Sequence, residues 1–267
     1  KKMKEQLTAR PVRFGEANPG MQDKGVDYCE LVRYEAPNSG YESSIRKETP
    51  EVAWGFAKEQ AVEMAEAFYD AGYHKQVYNR LVEPFQMMKT VITATELNNF
   101  FWLRYHEAAD PTIMELARVM RMALDHSEPK RLLPGEWHLP YVKASRDSSG
   151  VLCYYIGDNL ESGLALSREQ AIKVSAARCA AVSFRNVDYG LEKCEEVYAR
   201  LVGEDRKHAS ALEHQATPMK VQMFSVPNPH DWEEGVSHMD KNFNLWSGNL
   251  RGWIQWRKLV PGENVEG

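Results

Sequence analysis

The sequence predicts a mixed α+β fold that is rich in helix. Long stretches with apolar residues every three to four positions open on helix-start signals at Thr49-Pro50, Asp110-Pro111 and Ser167-x-x-Gln170. Between Pro129 and Gly163 that spacing gives way to short β-like runs bounded by turn residues. No internal repeat or low-complexity tract occurs, and 267 residues can hold one large domain or two small ones.

Along the chain, Gly15, Pro19 and Gly20 mark early turns. Residues 28–34, YCELVRY, read as a short strand, with helix as the alternative, and the polar stretch 36–48 reads as an exposed loop. Thr49 caps a helix with Pro50 at its first position, an apolar stripe through Val52, Phe56, Val62, Ala65 and Phe68 or Tyr69, and Gly72 at its end. A second helix runs from about Tyr73 to Phe85, with Val77, Leu81 and Phe85 as its core face, Arg80 beside that face and Pro84 bending or ending it. A third, begun near Thr95, sets Leu97, Phe100, Phe101, Arg104 and Ala108 on one stripe, which places Arg104 within the apolar face. Asp110-Pro111 opens a helix ending near Asp125.

LLPGEWHLPYV and VLCYYIG follow as β-like runs, separated by KASRDSSG, which reads as a mobile surface loop. The capping box at Ser167 opens a helix through about Phe184, and another runs from about Tyr189 to Val202 and stops at Gly203. MKVQMFSV reads as a strand before a loop rich in Pro and Asn.

Composition narrows the function. Hydrophobic residues make up 43% and charged residues 27%, with mean hydropathy −0.54, which describes a soluble globular chain. A net charge of −5 argues against binding a nucleic-acid polymer, while leaving a local anion pocket open. No apolar run approaches the roughly 18–20 residues that cross a bilayer, and none reads as a signal peptide, so a cytoplasmic protein is expected. Cys29, Cys153, Cys179 and Cys194 are scattered without metal-ligand spacing and read as reduced thiols, the latter two on helix faces, with no group nearby to activate one.

The motifs centre on arginines and histidines. A guanidinium within an apolar face needs an anionic partner, either an internal carboxylate or a ligand phosphate. Arg80 and Arg104 stand on consecutive helices, and two bidentate arginines suit a phosphate dianion.

The run NNFFWLRYHEAADPTIMELA resembles the substrate helix of flavin-dependent thymidylate synthases, the ThyX-type enzymes. Asn99 through Arg104 match the family's Asn, apolar residues and Leu-Arg, with Ala109-Asp110 where Ala-Gln is usual. Arg80 to Pro84 match its Arg-x-x-x-Pro. In KHASALEHQATP, His208, Ser210, Glu213 and His214 match its His-x-[Ser/Thr]-Pro-Phe-Glu-His segment, with Ala211 and Leu212 in place of Pro and Phe. In SAARCAAVSF, Ser183 matches the serine of Ala-Arg-Val-Ser, with Ala181 in place of the arginine. The likeness covers 73–122 and 175–218 well and the remainder loosely. Because the flavin segments follow the Leu-Arg helix, the order resembles that of a circularly permuted, phage-type branch. EWHLPYV and GWIQWRKLVPGEN would be features of that branch. Permutation puts the signature Arg-His-Arg immediately ahead of Lys1, so residues 1–267 are expected to be one ThyX-like domain lacking that segment.

The resemblance implies a helix-rich domain with a small, mainly antiparallel sheet, and reductive methylation of dUMP to dTMP. FAD is the implied cofactor, with NADPH and methylenetetrahydrofolate as co-substrates, in a homotetramer with flavin sites between subunits. It implies substrate contacts at Arg80, Asn99 and Arg104, flavin contacts at Ser183, His208, Ser210, Glu213 and His214, no protein nucleophile and no metal. Two alternatives stay open: a related enzyme that modifies C5 of another pyrimidine nucleotide, for instance by hydroxymethylation, and a non-enzymatic flavin- or nucleotide-binding protein.

Overall fold

A computed structural model describes residues 7–17, 19, 24–37, 43–184, 188–203, 207–223 and 228–263, without the side chains of Pro37, Ser43 and Phe184. The fold is α+β, with six α-helices and short antiparallel strands among the described residues. The chain divides into two compact units, one of Lys1–Met88 with Asn98–Ser127, the other of Lys89–Leu97 with Glu128–Gly267.

The first unit opens with the antiparallel pair β1 (Val32–Pro37) and β2 (Ser43–Glu48). The expected loop over 36–48 is therefore partly strand, and residues 38–42 lie outside the described residues. Helix α1 (Pro50–Asp70) starts on Thr49, whose hydroxyl accepts from the Val52 amide at 3.5 Å. Its stripe is only part core: Ala65 is buried and Phe56, Val62 and Phe68 are half-buried, while Val52 and Tyr69 are exposed. Helix α2 (Lys75–Val82) passes into a 3-10 turn, Glu83–Phe85, as Pro84 requires. Its core face is Val82 and Phe85, which pack with Leu7 and Ala65; Val77 and Leu81, expected there, are exposed. The Trp54 indole closes this cluster edge-on to Phe85 and donates to the Ala9 carbonyl at 3.1 Å.

Helix α3 (Asn98–Arg104) is two turns long, so the i+7 extrapolation to Ala108 runs past its end. Phe101 is buried and Arg104, the last helical residue, is exposed, which corrects its expected place in the apolar face. Helix α4 (Pro111–Asp125) starts on Asp110, whose carboxylate accepts from the Thr112 and Ile113 amides at 3.0 and 3.1 Å.

The second unit is built on α5 (Arg168–Ala181). Ser167 and Gln170 close the capping box reciprocally at 3.2 and 3.0 Å. Small residues let neighbours approach α5 from several sides: Ala171, Val174, Ser175, Ala176 and Ala177 are all inaccessible to solvent. One neighbour is the antiparallel sheet β3 (Lys143–Arg146), β4 (Leu152–Ile156) and β5 (Leu164–Leu166). The expected loop KASRDSSG thus supplies strand β3. Gly163 is required before β5, because a Cβ there would lie 2.5 Å from the Asn159 carbonyl oxygen. Helix α6 (Leu191–Val202) covers another side of α5, with Cys194 in the shared core beside Trp137, Tyr154 and Ile172.

Beyond α6, β6 (Ala216–Pro218) precedes β7 (His238–Met239), β8 (Leu245–Ser247), β9 (Leu250–Arg251) and β10 (Trp253–Gln255); β10 pairs with β6, and β8 with β7 and β9. Met219, Leu245 and Ile254 form their core. The strand expected over 219–226 is reduced to one bridge, Met223 to Asn244, and residues 224–227 lie outside the described residues.

Candidate functional site

The first unit carries Arg80, Asn99 and Arg104, all three exposed. Arg80 reaches Glu83 at 3.3 Å, with both side chains more than half exposed, a contact of little strength in water. Arg104 has no ion pair or hydrogen bond among the described residues, so its guanidinium is open to a ligand anion. Its internal salt-bridge alternative finds no carboxylate there.

The second unit carries the remaining expected contacts. Residues 209–213 form a 3-10 turn packed on α5. Its sequence sorts by side: Ala209, Ala211 and Leu212 are buried, Leu212 with Ala176 and Tyr198, while His208 and Ser210 are exposed. The two positions that depart from the family's Pro-Phe therefore serve the core, and of the four matching polar residues His208 and Ser210 face outward. Ser183, in the 3-10 turn that ends α5, is exposed too. Glu213 is half-buried and paired with Arg257, so its carboxylate is already committed to a cation. His214 shares a hydrogen bond with the Thr93 hydroxyl at 3.2 Å through Nδ1.

Thr93 leads to a cavity of about 770 Å³, whose walls include Thr95, His138, Asn244, Arg251 and Trp253. That volume is in the range of small-molecule sites. Chain pairing builds it: Arg251 donates its amide to the Thr95 hydroxyl at 2.9 Å and its guanidinium to Glu96 at 2.6 Å. Gly252, at φ +72°, turns the chain between β9 and β10 beside Gln222. No carboxylate lines the cavity among the described residues, and its one lining cation, Arg251, is paired. His138 was not singled out by motif. Its signal is alternation: Trp137 and Leu139 are buried, which turns His138 to the opposite side of an extended segment.

Desolvation by the surrounding walls lowers the pKa of His138, whose side chain stays solvent-accessible, with His214 adding to it, and burial lowers that of half-buried His214. On acidification the unfolded chain takes up protons that the folded chain refuses. Stability should therefore fall as the pH drops below the unfolded histidine value of about 6.5, and level off below the folded-state values. The double replacement His138→Gln with His214→Gln should flatten this loss, which urea titrations at pH 7 and pH 5 would reveal; an unchanged slope would assign it to other groups.

Burial pushes the Cys179 thiol up to about 12, so it stays protonated at neutral pH, and burial raises Cys194 as well. Alkylation at pH 8 should label exposed Cys29 well before Cys179, as peptide mapping would show. Early labelling of Cys179 would mark it as activated. Among the described residues, no cluster of three or more His, Cys, Asp or Glu side chains is placed to hold a metal ion, and no helix is long and apolar enough to cross a membrane. Comparison of the chain with protein-family models, curated proteins and solved structures gives no match.

Proposed function

We propose that the chain is a flavin-dependent thymidylate synthase that methylates dUMP to dTMP with methylenetetrahydrofolate and NADPH. The observation that carries the reading is the sorting of the 208–214 segment: His208 and Ser210, which match the flavin motif, lie on its open side, on an anchor of buried Ala209, Ala211 and Leu212. The donor set fits FAD. His208, Ser210 and Ser183 offer exposed hydrogen-bonding groups for its polar edge, and His214 supports the adjoining cavity through Thr93. When bound, FAD supplies the reducing chemistry of the reaction.

The protein's own task is positioning and charge stabilisation. Arg104 and Arg80 hold the nucleotide phosphate, where planar guanidiniums match its oxygens in pairs. Asn99 contacts the nucleotide or the flavin. Glu213 is held by Arg257, which fixes the end of the 208–214 turn. Assembly into a homo-oligomer, a tetramer in the resembled family, is supported by exposed apolar side chains on α3 and α4, Trp102 and Met122 among them. The chain acts in the cytoplasm, a host cytoplasm if phage-encoded.

The test is product formation by the full chain given FAD, NADPH, methylenetetrahydrofolate and either dUMP or dCMP, resolved by chromatography. dTMP supports the reading. A hydroxymethylated nucleotide or a dCMP product would replace it with the related C5 chemistry.

A further inference from the structure

We infer that the cavity between residues 93–95 and strands β8–β10 binds a planar, uncharged heterocycle with an imide edge, and that His138 is the residue that hydrogen-bonds this edge. The inference deepens the flavin reading and rests on it, since a flavin ring and a uracil ring both carry such an edge.

The walls select the ligand. Trp253 is the aromatic residue among the cavity's described walls, the group on which a planar ring would stack. Asn244 spends its side-chain N–H groups on Asp240, at 3.2 and 2.9 Å, which leaves its Oδ1 as an acceptor for a ring N–H. Neither ring nitrogen of His138 has a partner among the described residues. A neutral imidazole supplies one donor and one acceptor, the complement of a carbonyl beside a ring N–H. With no lining carboxylate and Arg251 already paired, the cavity favours a ring without net charge.

The segment that carries His138 is fixed along its backbone. Trp137 gives its amide to the Tyr154 hydroxyl at 2.7 Å and accepts from it at 3.2 Å. His138 and Ala216 exchange both backbone hydrogen bonds, at 2.7 and 3.2 Å. The Pro140 carbonyl accepts from Ser175 at 2.8 Å and the Tyr141 carbonyl from Arg178 at 2.7 Å. Tyr141 has φ +62°, a conformation that bulky residues adopt at a cost and that persists where surroundings over-determine it. Arg178 is buried, and its other contacts are to the Tyr189 carbonyl at 3.2 and 2.8 Å. Arg178 and Ser175 are thus positioning residues: they lock the turn after His138 and so aim its ring.

The test titrates the full chain with riboflavin, which carries the flavin ring without phosphates, and with uridine, following riboflavin fluorescence and the heat of uridine binding. At least one probe should bind. His138→Ala should weaken that probe at least tenfold with the melting temperature kept, because the His138 side chain makes no bond in the free protein, and Trp253→Leu should weaken it at least tenfold at temperatures where that variant is still folded. His138→Gln should stay within about threefold of wild type, since an amide also offers a donor and an acceptor. Arg178→Gln should shift the His138 ring signals in NMR and weaken the probe, with Arg178→Lys recovering part of both. Equal affinity in wild type and His138→Ala, or no binding of either probe, overturns the assignment. FAD binding that ignores His138 overturns it while the flavin reading stands. Uridine binding that needs His138, with no flavin bound in any form, does the reverse.

Discussion

Replacing Leu212 with alanine should destabilise the second unit by about 2–5 kcal/mol, the usual cost of truncating a fully buried leucine. Leu212 has no solvent-accessible surface and packs with Ala176 and Tyr198 beneath the 209–213 turn. The cavity left behind also frees the turn, so His208 and Ser210 lose their fixed places and FAD affinity should fall along with stability. Urea unfolding measures the first effect and flavin titration below the transition measures the second. A change under about 1 kcal/mol would mean that the site relaxes around the gap, and that the turn is anchored elsewhere.

Removing Arg104 should do the opposite. It is exposed at the end of α3 and makes no bond among the described residues, so Arg104→Ala should leave stability within about 0.5 kcal/mol. Affinity for dUMP should fall by about 1.5–3 kcal/mol, the worth of hydrogen bonds to a charged group, or roughly ten- to a hundredfold. Flavin binding should survive. Arg104→Lys should recover only part of the loss, because an ammonium cannot make the two-pronged contact. Unchanged dUMP affinity in a stably folded variant would remove Arg104 from the substrate site.

The contrast between these residues shows what the sequence could carry. Helices α1, α4 and α5 were legible because each announces its start chemically, by Thr49-Pro50, Asp110-Pro111 and the Ser167–Gln170 box. Strand β2 was not, since Ile45 is exposed and a two-stranded ribbon leaves no apolar alternation to read. Strand β3 hid for a similar reason: its burial pattern has no fully buried position. Arg104 was misplaced because shared spacing says which residues lie on one helix face and not how far burial extends along it: Phe101 is buried, while Arg104, the last residue of α3, is exposed. The 208–214 segment was legible only as a motif; that Ala211 and Leu212 face inward while His208 and Ser210 face outward required the fold. His138 escaped both routes. Its neighbours identify it only once Trp137 and Leu139 are known to be buried on the same side.

Flavin binding tests the central claim most directly. The full chain, freed of small molecules and titrated with FAD, should acquire the absorbance bands of a bound oxidised flavin and gain thermal stability as FAD exceeds its dissociation constant, since a ligand that binds only the folded state must raise its melting temperature. A chain that stays colourless and shows no thermal shift at high FAD would contradict the account.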